Sequence, residues 1–341
     1  MTDAPSIVLS GTGGIWRVRL PDGAIVEAYM RGRLKKGDDE RRRMLEQRRG
    51  SGRGGAARQR DVRETRDNAE EGDVPLKLAV GDEVTVVQDD SLSAWAITGI
   101  LPRRSRLARR NPGGAHGERI IAANVDQVLV VFAAANPEPH PRMLDRFLVI
   151  AEANGLAARV VINKVELVGE AVVRARFADY ERAGYPVHYT SVKQQIGLEP
   201  LRATVQGRSS ALSGPSGVGK SSLMNALFPG LDLRTQEISE SVNKGRHTTV
   251  GAYLHPIPDG GYLVDTPGLR EGGMWGREPE QLDACWPEFR PLLEGCRFAD
   301  CTHSVEPECA VRAAVEEGRV SRERYESYVK LREELEAERP W

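Results

Sequence analysis

GPSGVGKSS, residues 214–222, is the most informative stretch of this 341-residue sequence. It fits the pattern G-x-x-x-x-G-K-[ST] and lies between a strand-like segment, SSALS, and a helix-like segment, SSLMNALF. Glycines let backbone N–H groups turn inward around phosphate oxygens, and the helix N-terminus that follows favours negative charge. Lys220 would place its charge at the β- and γ-phosphates, and Ser221 would offer a hydroxyl to Mg²⁺. We therefore expect a phosphate-binding loop formed by Gly214, Ser216, Gly217, Val218, Gly219, Lys220, Ser221 and Ser222; a Gly-rich turn without function is the alternative.

The sequence on either side of this loop alternates between strands and helices. VDQVLVVFAA (125–134) and ARVVIN (158–163) are continuous apolar runs of the kind found in buried parallel strands. RMLDRFLVIAEANG and EAVVRARFADYERAG have helical spacing, and each ends in a glycine that suits a helix C-terminus. The alternation predicts an α/β doubly wound sheet.

Three further motifs follow predicted strands. NKVE (163–166) resembles the Asn-Lys-x-Asp turn with which GTPases bind guanine, where a carboxylate accepts hydrogen bonds from the base; here the acid is Glu166, one methylene longer. TSVK (190–193), which contains Ser191, is similar to the loop that backs the base. DTPG (265–268) offers Asp265 to the Mg²⁺ shell and the Gly268 N–H to a γ-phosphate. Each motif alone also fits an ordinary surface turn, but the set predicts a nucleotide site that contains Asn163, Lys164, Glu166, Ser191, Asp265 and Gly268.

The N-terminal third has a different character. Residues 5–30 and 75–101 contain short alternating strands, and PDG between IWRVRL and AIVEAYM predicts a hairpin. These strands predict a small β-barrel, with an OB-fold as one option. An Arg- and Gly-rich segment, about 31–73, interrupts them as a flexible insertion. Residues 1–120 carry five more basic than acidic residues, and the remainder six more acidic than basic. This asymmetry is a weak indication of a polyanionic partner, and a solvated charged surface is the commoner explanation.

A short Cys/His cluster, CRFADCTHSVEPEC, lies near the C-terminus. Three thiolates and one imidazole close a tetrahedral Zn²⁺ shell without an open position, so we expect one structural zinc per chain; buried free thiols are the alternative. Cys285, the remaining cysteine, is predicted to be a small core residue. The C-terminal tail after the cluster is predicted to be an exposed helix that packs on this loop. Four cysteines, no long apolar run and no signal peptide predict a reducing, cytoplasmic location without a membrane segment. The proposed zinc ligands are Cys296, Cys301, His303 and Cys309.

The order of the motifs is the last clue. The base-binding segments precede the phosphate-binding ones, which is the reverse of ordinary GTPases. With KGRHTTV (244–250), a barrel in front and a Cys/His cluster behind, the chain resembles the circularly permuted, ribosome-small-subunit-dependent GTPase family (the RsgA or YjeQ type) over nearly its whole length.

That resemblance implies an OB-fold at 1–110, a circularly permuted GTPase domain at 111–271 and a mostly helical zinc domain at 272–341. It implies a monomer that binds GTP with Mg²⁺, binds the small ribosomal subunit and its rRNA, and hydrolyses GTP, stimulated by the subunit, during late subunit assembly. His247 matches the residue that positions water, and Thr249, with Thr248 as the alternative, matches the switch threonine that completes the Mg²⁺ shell. The Gln that orients water in many GTPases is absent after Gly268, where Leu269 follows.

Two competing functions stay open at this point. The chain could be another P-loop enzyme, a nucleotide kinase or ATPase, in which NKVE is accidental. It could also be an rRNA-binding module whose nucleotide site is only regulatory. Turnover of GTP against ATP separates the first from a GTPase, and the effect of the ribosomal subunit on the rate separates the second.

Overall fold

The structure is a computed structural model that describes residues 5–31, 77–89, 94–110, 118–231, 233, 252–258, 260–265 and 279–337. The chain divides into two compact units, Met1–Pro102 and Arg103–Trp341, which are described separately below. Across the described ranges, no helix combines the length and apolar character needed to cross a membrane. The predicted Arg-rich insertion lies outside the described residues except for Arg31.

The first unit is a closed five-stranded barrel. Its strands are β1 (Ser6–Thr12), β2 (Ile15–Arg19), β3 (Ile25–Met30), β4 (Glu83–Asp89) and β5 (Ala94–Ile100). They follow one another around the barrel in the order β1-β2-β3-β5-β4, and β1 pairs with β4 to close it. Alternate side chains fill the interior, among them Val8, Val18, Val84 and Ile97. The predicted barrel and the predicted β2–β3 hairpin are both confirmed.

The second unit is built on a six-stranded sheet. The strands of this unit are β6 (Arg106–Arg110), β7 (Glu118–Ala123), β8 (Gln127–Ala133), β9 (Ala157–Asn163), β10 (Val187–Tyr189), β11 (Ser209–Ser213), β12 (Tyr253–Pro256) and β13 (Tyr262–Asp265). β6 and β7 form a separate antiparallel pair. The other six have the order β10-β9-β8-β11-β13-β12, and all neighbours are parallel except β12 and β13. Every residue of β8 is buried, as expected for the central region of a parallel sheet.

Within the described part of this unit, six α-helices accompany the sheet: α1 (Pro141–Ala153), α2 (Glu170–Arg182), α3 (Leu198–Val205), α4 (Lys220–Leu227), α5 (Ala310–Glu316) and α6 (Arg322–Ala337). The predicted helix ends are confirmed, because α1 is followed by Gly155 at φ 65° and α2 by Gly184 at φ 96°. Leu223 and Met224 of α4 pack in one core with Leu212 of β11, the strand before the loop, and with Leu129 of β8. The phosphate loop therefore joins two elements that are both anchored in the core.

The C-terminal part has a core of its own around Trp286, Phe289 and Tyr328, and Val149 of α1 packs into it. Cys285 lies in this core, as predicted. The prediction of an exposed α6 is only half right. The helix does pack on the Cys/His loop, since the Tyr328 hydroxyl donates to the Thr302 carbonyl at 3.0 Å. It also buries one face, which consists of Arg324, Ser327, Tyr328, Leu331 and Arg332. The alternating acidic and basic residues predicted an exposed helix because the sequence does not show the distant carboxylates that pair with Arg324, which are described below.

Candidate nucleotide site and metal centre

Four loops meet at the carboxyl ends of the parallel strands, the edge at which α/β sheets bind ligands. They follow β8, β9, β10 and β11, and they comprise residues 134–140, 164–169, 190–197 and 214–219. Asp265, the last residue of β13, lies beside Leu212 in the sheet and so close to the start of the phosphate loop. His247, Thr249 and Gly268, together with Thr248, lie outside the described residues.

The glycines of the phosphate loop are required by its geometry. Gly214 has φ 128°, and a Cβ there would lie 2.1 Å from the Val131 carbonyl oxygen. Gly219 has φ 92°, and a Cβ there would lie 2.7 Å from Asn163 Nδ2. Gly217 is also at positive φ, but its Cβ would meet nothing closer than Pro137 Cδ at 3.6 Å. The loop thus contacts β8 at its start and, at its end, the turn 163–166, which is called the base-binding turn after its predicted role.

Asn163 and Lys164 join the base-binding turn to the phosphate loop. Asn163 Nδ2 donates to the Val218 carbonyl at 3.0 Å, and Asn163 Oδ1 accepts from the Thr190 hydroxyl at 3.2 Å. Lys164 Nζ donates to the Gly217 carbonyl at 2.7 Å and also to the Asn136 carbonyl. Asn163 and Thr190 are buried. The three segments singled out from the sequence therefore form one hydrogen-bonded unit.

Glu166 lies in a single turn of 3₁₀ helix, Val165–Leu167. Its Oε2 is buried and accepts no hydrogen bond from any residue that the structure describes. A buried carboxylate oxygen without a donor is costly unless a ligand supplies one. Ser191 is fully buried in the adjacent loop, where its hydroxyl accepts from the Gln194 N–H at 3.0 Å. The arrangement offers an acceptor that a base N–H could satisfy.

Lys220 is the first residue of α4, and its Nζ donates to two carbonyls of its own loop, those of Gly214 at 2.7 Å and Pro215 at 2.6 Å. The ammonium group thus lies across the loop that would hold phosphates. Ser221 and Ser222 follow in the first turn of α4, where N–H groups without intrahelical acceptors point toward the loop. Val218 is fully buried and packs in the core that holds α4.

The predicted zinc ligands do converge. Cys296 Sγ lies 3.5 Å from His303 Nδ1 and 3.9 Å from Cys309 Sγ, and the latter two atoms are 3.4 Å apart. The fourth ligand is Cys301, and all four ligand atoms lie within 4.8 Å of one another. A tetrahedron with Zn–S about 2.3 Å and Zn–N about 2.0 Å has edges of about 3.5–3.8 Å. The donor set and its spacing therefore fit a tetrahedral metal ion.

The surroundings of the cluster fit metal binding as well. Burial raises the pKa of the Cys301 thiol to about 12, so the thiol is protonated at neutral pH without a metal, and metal binding would release that proton. The other ring nitrogen of His303, Nε2, faces Asp283 Oδ2 at 3.4 Å. A carboxylate in this position orients a metal-binding imidazole. His303 itself is buried.

A model of the RsgA GTPase family matches residues 100–275, which is more than half of the chain. The chain belongs to the RsgA GTPase family. The resemblance inferred from the motif order is thereby confirmed, and with it membership of a family of GTP hydrolases. The family match extends from the last residue of β5 through the base-binding turn and the phosphate loop to residues beyond β13.

Several relatives match nearly the whole chain. The small ribosomal subunit biogenesis GTPase RsgA of Gemmatimonas aurantiaca is 60% identical over 335 residues, 98% of each chain. The protein of that name from Bacteroides fragilis is 33% identical and covers 97% of this chain and 96% of its own. The crystal structure of YjeQ from Thermotoga maritima superposes with a TM-score of 0.72 at 33% identity, covering 98% of this chain and 99% of that one. YloQ, a circularly permuted GTPase at 24% identity and a TM-score of 0.68, supports the fold alone. The predicted fold class of this RsgA-family chain is confirmed.

Two residues that contribute to these sites are not predicted by the sequence patterns. Asn136 accepts from Lys164 through a backbone carbonyl, which any residue type could provide, so no side-chain pattern marks it. Asp283 lies 20 residues before His303, outside the Cys/His spacing that identified the ligands. Both contacts depend on loops that the fold brings together.

Proposed function

We propose that this RsgA-family chain binds the small ribosomal subunit and hydrolyses GTP during the late assembly of that subunit, with hydrolysis stimulated by the subunit. The proposal rests on the hydrogen bond from Asn163 of the base-binding turn to the Val218 carbonyl of the phosphate loop. The relatives named small ribosomal subunit biogenesis GTPases, which align over nearly the full chain, supply the ribosomal part.

Guanine selectivity would come from Glu166. Its buried, unpartnered Oε2 would accept from the ring N–H or the amino group of guanine, whereas adenine would leave that oxygen unpaired. The aliphatic part of Lys164 and the loop of Ser191 would flank the base. Because Glu is one methylene longer than Asp, the backbone of the 3₁₀ turn would lie slightly farther from the base, with the carboxylate still at hydrogen-bond distance.

The phosphates would lie in the loop 214–219, held by backbone N–H groups and by the N-terminus of α4. Lys220 would exchange its two loop carbonyls for β- and γ-phosphate oxygens, so that its charge is already in place before the nucleotide binds. Mg²⁺ accompanies GTP in this family, and Ser221, Thr249 and Asp265 are the residues proposed to hold or surround it; Mg²⁺ neutralises the developing phosphate charge. Gly268 would donate its N–H to the γ-phosphate, and His247 would orient the attacking water.

The metal of the Cys/His cluster is proposed to be one Zn²⁺ with a structural role. Four protein ligands leave no position for water or substrate, which separates this site from a catalytic zinc. The three-domain division at 110/111 and 271/272, a monomeric state and contact of the basic N-terminal third with rRNA phosphates belong to the same proposal. Phosphate contacts predict binding that weakens steeply as salt rises.

The test measures GTP and ATP hydrolysis by the full chain with and without purified small ribosomal subunits. The proposal expects slow GTP turnover alone, a large increase with subunits and little turnover of ATP. Equal turnover of ATP and GTP would favour a nucleotide kinase or ATPase. A GTP rate unchanged by subunits would leave the nucleotide a regulatory ligand of an rRNA-binding protein.

A further inference from the structure

A buried cluster of three charged residues joins α1 to the C-terminal part of the chain. Arg324 of α6 donates to Asp145 Oδ1 of α1 at 2.6 Å, and its Nη2 donates to Glu288 Oε2 at 3.1 Å, beside a second bond from Nε to Oε1. The side chains of Arg324 and Asp145 are only 3% and 1% exposed. Charged side chains are almost never buried to this degree unless they are paired.

Aromatic rings complete the enclosure of the guanidinium group. It lies 5.1 Å from the ring centre of Tyr180, 5.5 Å from that of Tyr185 and 5.9 Å from that of Trp286. Tyr180 belongs to α2, so Arg324 contacts two helices of the sheet domain as well as the C-terminal core. The planar fork of Arg serves several partners at once, which a Lys ammonium cannot do in the same geometry.

The N-terminal end of α1, which carries Asp145, borders the nucleotide site. The loop 134–140 leads directly into the helix, and Asn136 in this loop accepts a hydrogen bond from Lys164. Pro137 lies against Gly217 of the phosphate loop. The Tyr180 hydroxyl donates to the Pro141 carbonyl at 3.3 Å, at the first residue of α1. A displacement of α1 along its axis would therefore move the loop that contacts both Lys164 and the phosphate loop.

We propose that Arg324 is a positioning residue of the nucleotide site, which acts through Asp145, α1 and the loop 134–140. The inference rests on the proposed function, because it requires a guanine nucleotide to bind at that site. Any interaction that displaces α6 or the C-terminal core would change nucleotide affinity through these contacts. Reciprocity then requires a bound nucleotide to stabilise α6 by the same factor.

The experiment compares the wild-type chain with Asp145→Asn and Arg324→Lys. Removing Arg324 altogether would bury two uncompensated carboxylates and endanger folding, whereas Asn preserves the shape of Asp and leaves the Arg324–Glu288 pair intact. Arg146→Gln is the matched control. Arg146 follows Asp145 on α1 and pairs with Glu334 of α6, but that ion pair is partly exposed, and such pairs contribute little.

Three experiments are made on each variant: calorimetry for GDP affinity, steady-state kinetics for kcat and KM with GTP, and hydrogen exchange of residues 322–337 with and without GDP. We expect GDP affinity to fall about 5-fold or more in both cluster variants, the lower end of typical couplings. KM should rise with kcat unchanged, since a smaller folded fraction would instead lower the apparent kcat and leave KM alone. GDP should slow exchange in α6 of the wild type and of Arg146→Gln, and much less in the cluster variants.

Cluster variants with wild-type GDP affinity and wild-type KM would overturn the inference, and so would the absence of GDP-dependent protection in α6 of the wild type. An equal loss of affinity in Arg146→Gln would overturn it as well, because the buried cluster would then have no special part. A wild-type chain that binds no GDP would refute the proposed function, and the inference with it. The first outcomes leave the proposed function intact, so the two failures are distinguishable.

Discussion

Gly214→Ala is the substitution for which the structure gives the sharpest expectation. The new Cβ would lie 2.1 Å from the Val131 carbonyl oxygen, so β8 and the phosphate loop would have to separate by roughly 1 Å to restore ordinary contact. Positive φ adds strain of about 1–3 kcal/mol for a residue with a side chain. Forcing a group into a packed region costs a further 1–3 kcal/mol or so. We expect the free energy of unfolding of the sheet domain to fall by about 2–6 kcal/mol.

Gly217→Ala is the matched control in the same loop. It also has a positive φ, of 80°, but its Cβ would meet Pro137 Cδ at 3.6 Å, an ordinary contact. The backbone strain of about 1–2 kcal/mol should therefore be its main effect. Because both variants share the loss of glycine entropy in the unfolded chain, their difference isolates the collision with Val131.

Urea unfolding followed by far-UV circular dichroism measures the stability of both variants, and calorimetry measures GDP affinity. A shift of about 1 Å takes loop N–H groups out of the hydrogen-bonding range of 2.7–3.2 Å or so, and GDP affinity of Gly214→Ala should fall at least about 10-fold. Equal unfolding midpoints for the two variants would refute the reasoning, since the collision would then have no cost.

Four other predictions concern the proposed sites. Lys220→Ala should abolish GTP hydrolysis and leave the circular dichroism spectrum unchanged; a folded variant with full turnover would remove Lys220 from the site. His247→Ala should lower the subunit-stimulated single-turnover rate about 10²-fold or more without weakening GTP binding, and a retained rate would assign water positioning to another group. Elemental analysis should find one zinc per chain, and a zinc-free folded protein would contradict the metal assignment. Burial alone would raise the pKa of Glu306, but hydrogen bonds from Thr302 and from backbone N–H groups outweigh it and lower the pKa to about 2, below the ordinary 4.5. The stabilisation from this carboxylate is therefore present above pH 4.5 and lost as the pH falls toward 2. At pH 7, Glu306→Gln should speed the release of zinc to a chelator, and the control Glu308→Gln should not.

Local patterns in the sequence predict much of the architecture. The phosphate loop is recognisable because its glycines meet a backbone requirement within six residues, and the strand before it and the helix after it follow from apolar periodicity. The Cys/His spacing predicts the cluster of four possible ligands because they lie within a single short loop, where chain length alone keeps them close. Alternating strands and a PDG turn indicate the barrel for the same local reason.

The contacts that give the sites their precision join residues far apart in the chain. Asn163 and Val218 are 55 positions apart, and Asp145 and Arg324 are 179 apart. Arg324 illustrates why no pattern reveals such a contact. Interleaved Glu and Arg predict an exposed helix, because an isolated charge loses several kcal/mol or more of hydration when it is buried. Only the folded chain brings Asp145 and Glu288 to the guanidinium group, and their opposite charge is what makes the burial of Arg324 stable.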